Sequence, residues 1–290
     1  MPVLSQQDLA FFAKNGYVVA RQAITRTQAQ RTAQAVWNFA GQDPDKPETW
    51  YEEGRGIMVE AYHQQAMWDN RTSPRVHQAF SQVWNHDKLW VSHDRASISP
   101  PSRDPDAKEH GLHWDMNIDN PPFSFGVQGV LYLTDTPAAQ GAFVCVPGFH
   151  RKIEKWLASL PKDAQPKEQD LLALGTKRIG AEAGDLIIWQ TTLPHTASLN
   201  RGEAPRVAQY ITMGPAGEKN AAEREHRIAF WRERLSGLGR YAEEREHHEI
   251  PPAKLTPLGR KLAGIDPWHR KVQSYAHPLS ARRRQRRRFR

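Results

Sequence analysis

Seven short segments with the composition of β-strands follow one another between residues 112 and 213. Turns containing glycine, proline and asparagine separate them, and they do not alternate regularly with helices. This pattern is typical of a barrel or sandwich rather than of a parallel sheet with crossover helices. The predicted strands span residues 112–118, 126–134, 142–146, 177–181, 185–189, 195–198 and 206–213. The sequence therefore predicts a mainly β core.

The segments on either side of this core have helical patterns. Ser5 with Asp8, and Thr25 with Gln28, have the spacing of capping boxes at two helix starts, and Ser73-Pro74 predicts a third start. We expect a single domain over residues 1–281. Its parts are a helical segment 1–87, a barrel core at about 88–214 and a helical extension 215–281. Within the barrel core, residues 89–98 are predicted to form a further strand and residues 150–160 a helix. Within the extension, residues 221–235 are predicted to form a helix.

Three side chains inside the predicted core have the composition of a metal site. Successive side chains of a strand point to opposite faces, so His113 and Asp115 can aim at one point while Trp114 faces away. His195 could supply a third ligand from another strand. Two imidazoles and a carboxylate leave three octahedral positions open, which suits non-haem Fe(II). A buried polar network, or a metal site without a co-substrate, would use the same residues.

Arg206 lies eleven residues after His195, within another strand-like run. A planar guanidinium that faces a pocket is suited to bidentate binding of a carboxylate. The alternative is an exposed strand arginine that pairs with Glu182 or Glu203.

The spacing of these residues resembles that of the phytanoyl-CoA dioxygenase family of Fe(II)/2-oxoglutarate oxygenases. Residues 140–150 resemble the family's Asn-Gly-Ala-x-x-x-x-Pro-Gly-Ser-His segment, and Gly184-Asp185 resembles the pair that opens the strand before the distal histidine. The resemblance runs from about residue 5 to about residue 214. It implies a double-stranded β-helix, the jelly-roll or cupin-like barrel, with flanking helices.

The resemblance also implies roles for individual residues. His113, Asp115 and His195 would be the catalytic Fe(II) ligands, and Arg206 would bind the co-substrate 2-oxoglutarate. Gln128 would contact that co-substrate or its neighbours, unless it is an ordinary barrel-lining amide. Some relatives carry a hydroxyl where this chain has Ala197, so the hydroxyl partner of 2-oxoglutarate is expected from Thr134 or Thr196. The remaining candidates, for substrate contact, are Arg95, His110 and Tyr132.

The implied chemistry consumes O2 and releases succinate and CO2. Hydroxylation is the expected outcome, and dealkylation and desaturation are alternatives that begin with the same oxidative step.

Seven arginines in residues 282–290 carry most of the formal charge of +8, which leaves +1 on the rest of the chain. A nearly neutral body favours a small polar metabolite or natural-product intermediate as substrate. An acyl-CoA or nucleic-acid substrate, or a non-catalytic binding module that uses the pocket and the basic tail, are the alternatives.

Composition also predicts the cellular compartment and the partners of the protein. Cys145 is the only cysteine, which excludes an internal disulfide and is consistent with a reducing compartment. No segment approaches the roughly 20 apolar residues that span a bilayer, and the N-terminus lacks an apolar leader. We expect a cytoplasmic monomer or homodimer without membrane or nucleic-acid partners. Like charges in series repel one another, so the tail 282–290 is expected to be disordered.

Overall fold

The structure, a computed structural model, describes residues 2–51, 57–235 and 250–268. Its helices are α1 (Gln6–Asn15), α2 (Arg26–Ala40), α3 (Gln65–Arg71), α4 (Pro74–Trp84), α5 (Ile153–Ser159), α6 (Ala221–Glu233) and α7 (Pro257–Leu262). Its strands are β1 (Tyr17–Ala20), β2 (Met58–Val59), β3 (Leu89–Val91), β4 (Ala96–Ser99), β5 (Val127–Tyr132), β6 (Phe143–Cys145), β7 (Lys177–Ile179), β8 (Leu186–Gln190), β9 (His195–Ala197), β10 (Arg206–Tyr210) and β11 (Met213–Pro215). The prediction of a sheet-rich protein with flanking helices is confirmed.

Two sheets and one ribbon contain these strands. The major sheet has the order β1-β8-β5-β10-β4-β2, and the minor sheet has the order β7-β6-β9. Strands β3 and β11 form the separate two-stranded ribbon. All neighbouring strands are antiparallel.

The two faces of the major sheet have different neighbours. On the outer face, Ile188 of β8 belongs to a cluster with Val36 of α2 and Phe80 of α4. On the inner face, the ring of Trp189 contacts Phe143 of the minor sheet, with 4.5 Å between centroids. Side chains alternate along a strand, so a strand covered on both faces must be apolar at every position. This explains the continuous apolar run of β8.

The first two helices begin as their sequences predict. The Ser5 hydroxyl accepts a hydrogen bond from the amide of Asp8, and the Asp8 carboxylate accepts one from the amide of Ser5. Thr25 and Gln28 make the same reciprocal pair. Both helices end at glycines in the left-handed conformation. These contacts satisfy backbone amides that have no partner within the helix.

The predicted strands 89–98 and 206–213 are each broken in two. The interruptions lie opposite each other, where the amide of Ser92 donates to the carbonyl of Thr212 (2.7 Å) and the amide of Thr212 donates to the Ser92 hydroxyl (3.0 Å). The chain leaves the major sheet here and continues as the β3–β11 ribbon. A single predicted strand was wrong in both cases because an apolar run does not reveal a change of sheet.

The segment 112–118 is not a strand. Only His113 makes a β-bridge, and the chain bends immediately after it. The indole of Trp114 donates to the carbonyl of Thr192 (3.0 Å) and holds the bend. The predicted strand was wrong because the polar residues that follow turn away from the sheet, with the amide of Asp119 bonded to the side chain of Asn117.

Two helix predictions also need correction. The predicted helix 150–160 is a 3-10 turn at Phe149–Arg151 followed by α5. Gly148 precedes the turn with a left-handed φ of 78°, which redirects the chain before a regular helix can begin. Helix α4 begins at Pro74 as predicted, but Ser73 does not cap it because its hydroxyl lies 3.3 Å from the carbonyl of Ala23 and donates there.

Helix α6 packs on the body of the protein through Phe230. This side chain is buried beside Tyr62, at 6.0 Å between ring centroids, in a cluster that also contains Trp68. Trp231 and Leu235 are partly buried and pack at the edge of the same cluster.

Some predictions cannot be compared with the structure. The tail 282–290 lies outside the described residues, as do residues 236–249 and 269–281 of the extension. Within the described ranges, no helix combines the length and the apolar character that crossing a membrane requires.

Gly129 provides a test of how tightly α4 packs on the major sheet. A Cβ atom at this position would lie 2.6 Å from the carbonyl oxygen of Ile211 and 2.9 Å from the ring of Phe80. We expect Gly129→Ala to lower the free energy of unfolding by about 1–3 kcal/mol in urea denaturation. Gly214→Ala is the matched strand control, since nothing lies within 4 Å of the added atom. Equal stability of the two variants would contradict this packing.

Candidate metal and co-substrate site

Backbone pairing brings two distant histidines together. His195 begins β9 and is the register partner of Cys145 in β6. On its other side, the amide of His195 donates to the carbonyl of His113 and the amide of His113 donates to the carbonyl of His195, each at 3.0 Å. The two imidazoles consequently lie side by side, with 4.8 Å between ring centroids.

The carboxylate of Asp115 completes the group. Its Oδ1 lies 3.6 Å from Nε2 of His113, and its Oδ2 lies 3.3 Å from Nε2 of His195. One potential ligand atom from each residue lies within 4.8 Å of the others. Adjacent donors of an octahedral ion with bonds of about 2.1 Å are about 3.0 Å apart. The three side chains therefore need only small adjustments to share one ion.

The protonation of these groups suits a metal ion. Nδ1 of His195 lies 3.0 Å from the carbonyl oxygen of Leu193, which can only accept, so Nδ1 carries the proton and the lone pair of Nε2 faces the site. Close contacts with the imidazoles of His113 and His195, and a hydrogen bond from the amide of Gln128, hold the pKa of Asp115 well below its usual range. Asp115 is thus an anionic ligand at neutral pH.

Arg206 is fully buried, at 2% exposure. Its terminal nitrogen donates to the hydroxyl of Ser97 (3.0 Å), and its Nε has no hydrogen-bond partner among the described residues. The alternative of an exposed pair with Glu182 or Glu203 is therefore wrong; Glu182 lies 3.5 Å from Arg26 instead. A buried guanidinium with an open donor is suited to an anion that enters the site.

One cavity of about 300 Å³ connects the three donors with Arg206. Of the other predicted site residues, it is also lined by Gln128, Arg95, His110 and Thr196. The amide nitrogen of Gln128 lies 2.6 Å from Oδ2 of Asp115. His110, three residues before His113, contributes its side chain to the wall of the same cavity.

Two predicted residues lie elsewhere. Tyr132 is fully buried, and its phenol donates to the carbonyl of Ile179 (3.1 Å) and accepts from the amide of Phe143 (2.8 Å). Burial raises the pKa of Tyr132 to about 12, so the phenol remains a donor. The hydroxyl of Thr134 accepts from the amide of Val207 (3.0 Å) beyond the end of β5. The predictions of substrate contact for Tyr132 and of co-substrate contact for Thr134 are corrected, since neither lines the cavity.

The cavity also has walls that the sequence did not reveal. The additional side chains include Ile57, Met58, Asp94, Tyr210 and Thr212. Tyr210 could have been found from its position four residues after Arg206, on the same face of β10. Ile57 and Met58 come from a segment without a motif, so only the fold places them.

Cys145 lies beside His195 in the minor sheet. It is the register partner of His195 and is completely buried. Burial raises the pKa of the Cys145 thiol to about 12. The thiol is therefore protonated and does not compete with the three donors as a ligand.

The model of the phytanoyl-CoA dioxygenase family matches residues 12–208, more than half of the chain. The chain belongs to the phytanoyl-CoA dioxygenase family. Family membership and the His113–Asp115–His195 donor group together identify a non-haem iron, 2-oxoglutarate-dependent oxygenase.

Individual relatives agree with this assignment. A Dictyostelium discoideum protein named after phytanoyl-CoA dioxygenase is 25% identical over 271 residues, which cover 75% of this chain and 77% of the relative. Two solved structures share the fold. A hypothetical protein from Escherichia coli has a TM-score of 0.69 at 19% identity and 91% and 82% coverage of the two chains. The epimerase SnoN, in complex with Fe3+, alpha ketoglutarate and nogalamycin RO, has a TM-score of 0.53 at 18% identity and 73% and 83% coverage.

Replacement of Asp115 tests the donor group. We expect Asp115→Ala to reduce the affinity for Mn(II) at least 100-fold in calorimetry, because the only anionic ligand is lost. Asp119→Ala, an exposed residue on the same loop, should bind Mn(II) like the unmodified protein. Equal affinities of the two variants would exclude Asp115 as a ligand.

Proposed function

We propose that the protein couples the oxidative decarboxylation of 2-oxoglutarate to oxidation, by default hydroxylation, of a small polar metabolite or natural-product intermediate. The observation that carries the proposal is the single cavity that contains both the donor group of His113, Asp115 and His195 and the buried cation Arg206. The metal site and the co-substrate anchor thus open into the same space.

Each residue has a defined task in this reaction. His113, Asp115 and His195 would hold Fe(II), and three coordination positions would remain for ligands. Iron and 2-oxoglutarate, when bound, supply the activation of O2 and the oxidising power, and succinate and CO2 are released. Arg206 would bind the carboxylate of 2-oxoglutarate that is distant from the metal, while the Ser97 hydroxyl holds the guanidinium in place. Thr196 is the hydroxyl candidate that remains at the cavity.

The cavity supports a small substrate. Its volume of about 300 Å³ is at the lower end of the roughly 300–1,000 Å³ of ligand pockets, and the co-substrate must share it. Charged and polar groups of Asp94, Arg95 and His110 line it together with apolar side chains of Ile57 and Met58. An acyl-CoA would leave most of its length outside this space. A polar molecule with an apolar part fits the lining better.

Two relatives add support from their names. SnoN is described as an epimerase in complex with nogalamycin RO, and a protein from Aspergillus versicolor, 26% identical over 234 residues, is named Ava biosynthesis cluster protein O. Both names refer to biosynthesis or its products. They favour a natural-product intermediate over a nucleic acid as the substrate of this chain.

We infer that the major and minor sheets form the double-stranded β-helix of the family, with the apolar cluster between them as its interior. We infer that residues 1–281 form one oxygenase domain. The neutral body and the single cysteine favour a cytoplasmic protein without membrane or nucleic-acid partners.

Replacement of Arg206 tests the co-substrate anchor. We expect Arg206→Met to raise the Kd for 2-oxoglutarate at least about 30-fold, because the loss of one partner of a buried charge pair costs about 2 kcal/mol or more. Calorimetry on Mn(II)-loaded protein measures this Kd, and the affinity for Mn(II) should not change. Arg31→Met, at an exposed arginine on α2 that pairs with Asp69, is the control. A Kd within threefold of the control would assign Arg206 to another role.

A substrate screen tests the reaction class. The protein is loaded with Fe(II) without oxygen and mixed with 2-oxoglutarate, air and a library of polar metabolites, natural products and acyl-CoA esters. We expect substrate-dependent succinate formation with a product that has gained one oxygen atom. If the protein binds no Fe(II) and releases no succinate, even without added substrate, the non-catalytic binding module becomes the better interpretation.

A further inference from the structure

Gln128 makes the shortest side-chain contact to the metal ligand Asp115. Its Nε2 lies 2.6 Å from Oδ2 of that carboxylate. An ionised carboxylate can only accept hydrogen bonds, so the NH2 group of Gln128 must face Asp115 and the amide carbonyl must face the other way. The orientation of the Gln128 amide is thereby fixed by chemistry.

The carbonyl oxygen of Gln128 is buried and has no hydrogen-bond partner among the described residues. Other glutamines of the core differ in this respect. Gln82 accepts from the amide of Leu4 and donates to its carbonyl, and Gln209 accepts from Asn70 and donates to the carbonyl of Met67. Glutamines that tie the fold together are bonded at both ends. Gln128 is bonded only at the end that faces the metal site.

Metal binding would make this one bond more important. In the structure, His113 and His195 also lie within 3.6 Å and 3.3 Å of the Asp115 carboxylate. Once both imidazoles direct Nε2 to a metal ion, they can no longer donate to Asp115. Since Asp115 lies on a bend and its side chain is half exposed, the NH2 group of Gln128 is then the donor that holds it.

We propose that Gln128 is a positioning residue that binds one oxygen of Asp115 and thereby directs the other to the metal ion. The inference rests on the proposed metal site and adds a residue that does not touch the metal. Hydrogen bonds of this kind fix the orientation of a metal ligand, and their loss typically weakens metal binding 10–100-fold.

Gln128→Met tests the proposal, because methionine has nearly the same volume but cannot donate. Calorimetry with Mn(II) alone, without 2-oxoglutarate, should give a Kd that is 10–100-fold higher than in the unmodified protein. The Tm of the metal-free variant should be unchanged within about 2 °C, because the fold loses one hydrogen bond but no longer buries an unsatisfied carbonyl. Gln34→Met, the same replacement at an exposed glutamine of α2 that does not line the cavity, should change neither value.

The possible results separate the interpretations. A Kd within threefold of the unmodified protein would overturn the proposal. So would a loss of affinity that accompanies a fall in Tm of more than about 4 °C, because Gln128 would then serve the fold. If Gln128→Met does not fold, Gln128→Asn, with an amide one methylene too short, should show the same loss of affinity. Failure of the unmodified protein to bind Mn(II) would instead refute the metal site of the proposed function.

Discussion

The site depends on a β-bridge of a single residue. His113 and His195 exchange two backbone hydrogen bonds, and no regular strand extends this pairing beyond His113. The bridge sets the separation of the two imidazoles, and the bend after it turns Asp115 toward them. Because β9 also pairs with β6, the bridge attaches the loop of the first histidine to the minor sheet. The irregular segment 112–118 is thereby fixed at the point that sets the geometry of the donors.

The two faces of the major sheet have different roles, one in stability and one in the chemistry of the site. The outer face of the major sheet is covered by α1, α2 and α4 and forms the largest apolar cluster. The inner face carries the residues of the cavity, such as Arg206, Gln128 and Tyr210. Because successive side chains of a strand point to opposite faces, residues that pack in the apolar cluster alternate with residues that face the cavity. A substitution on the inner face can therefore alter the site while the outer face continues to hold the strand in place.

The sequence predicted the chemistry better than the surroundings of the site. His113, Asp115, His195 and Arg206 stand in a spaced motif, and capping boxes are local, so both could be found without coordinates. Alternation gives the direction of a side chain but not its partners. Tyr132 points to the same side of β5 as Gln128, yet the minor sheet binds its phenol before it can reach the cavity. The predicted strands 89–98 and 206–213 are broken where Ser92 pairs with Thr212. This pairing joins segments that are far apart in the sequence, so no local sequence pattern could predict it.

The burial of Cys145 has a consequence for the durability of the protein. Oxidation of a cysteine proceeds through the thiolate, and a thiol with a pKa of about 12 is almost never in that form at neutral pH. The chain has no second cysteine that could react in its place. Reactive oxygen species formed in the cavity would therefore react slowly with this thiol. The thioether of Met58, which lines the cavity and needs no deprotonation to be oxidised, is the sulfur that such species would meet.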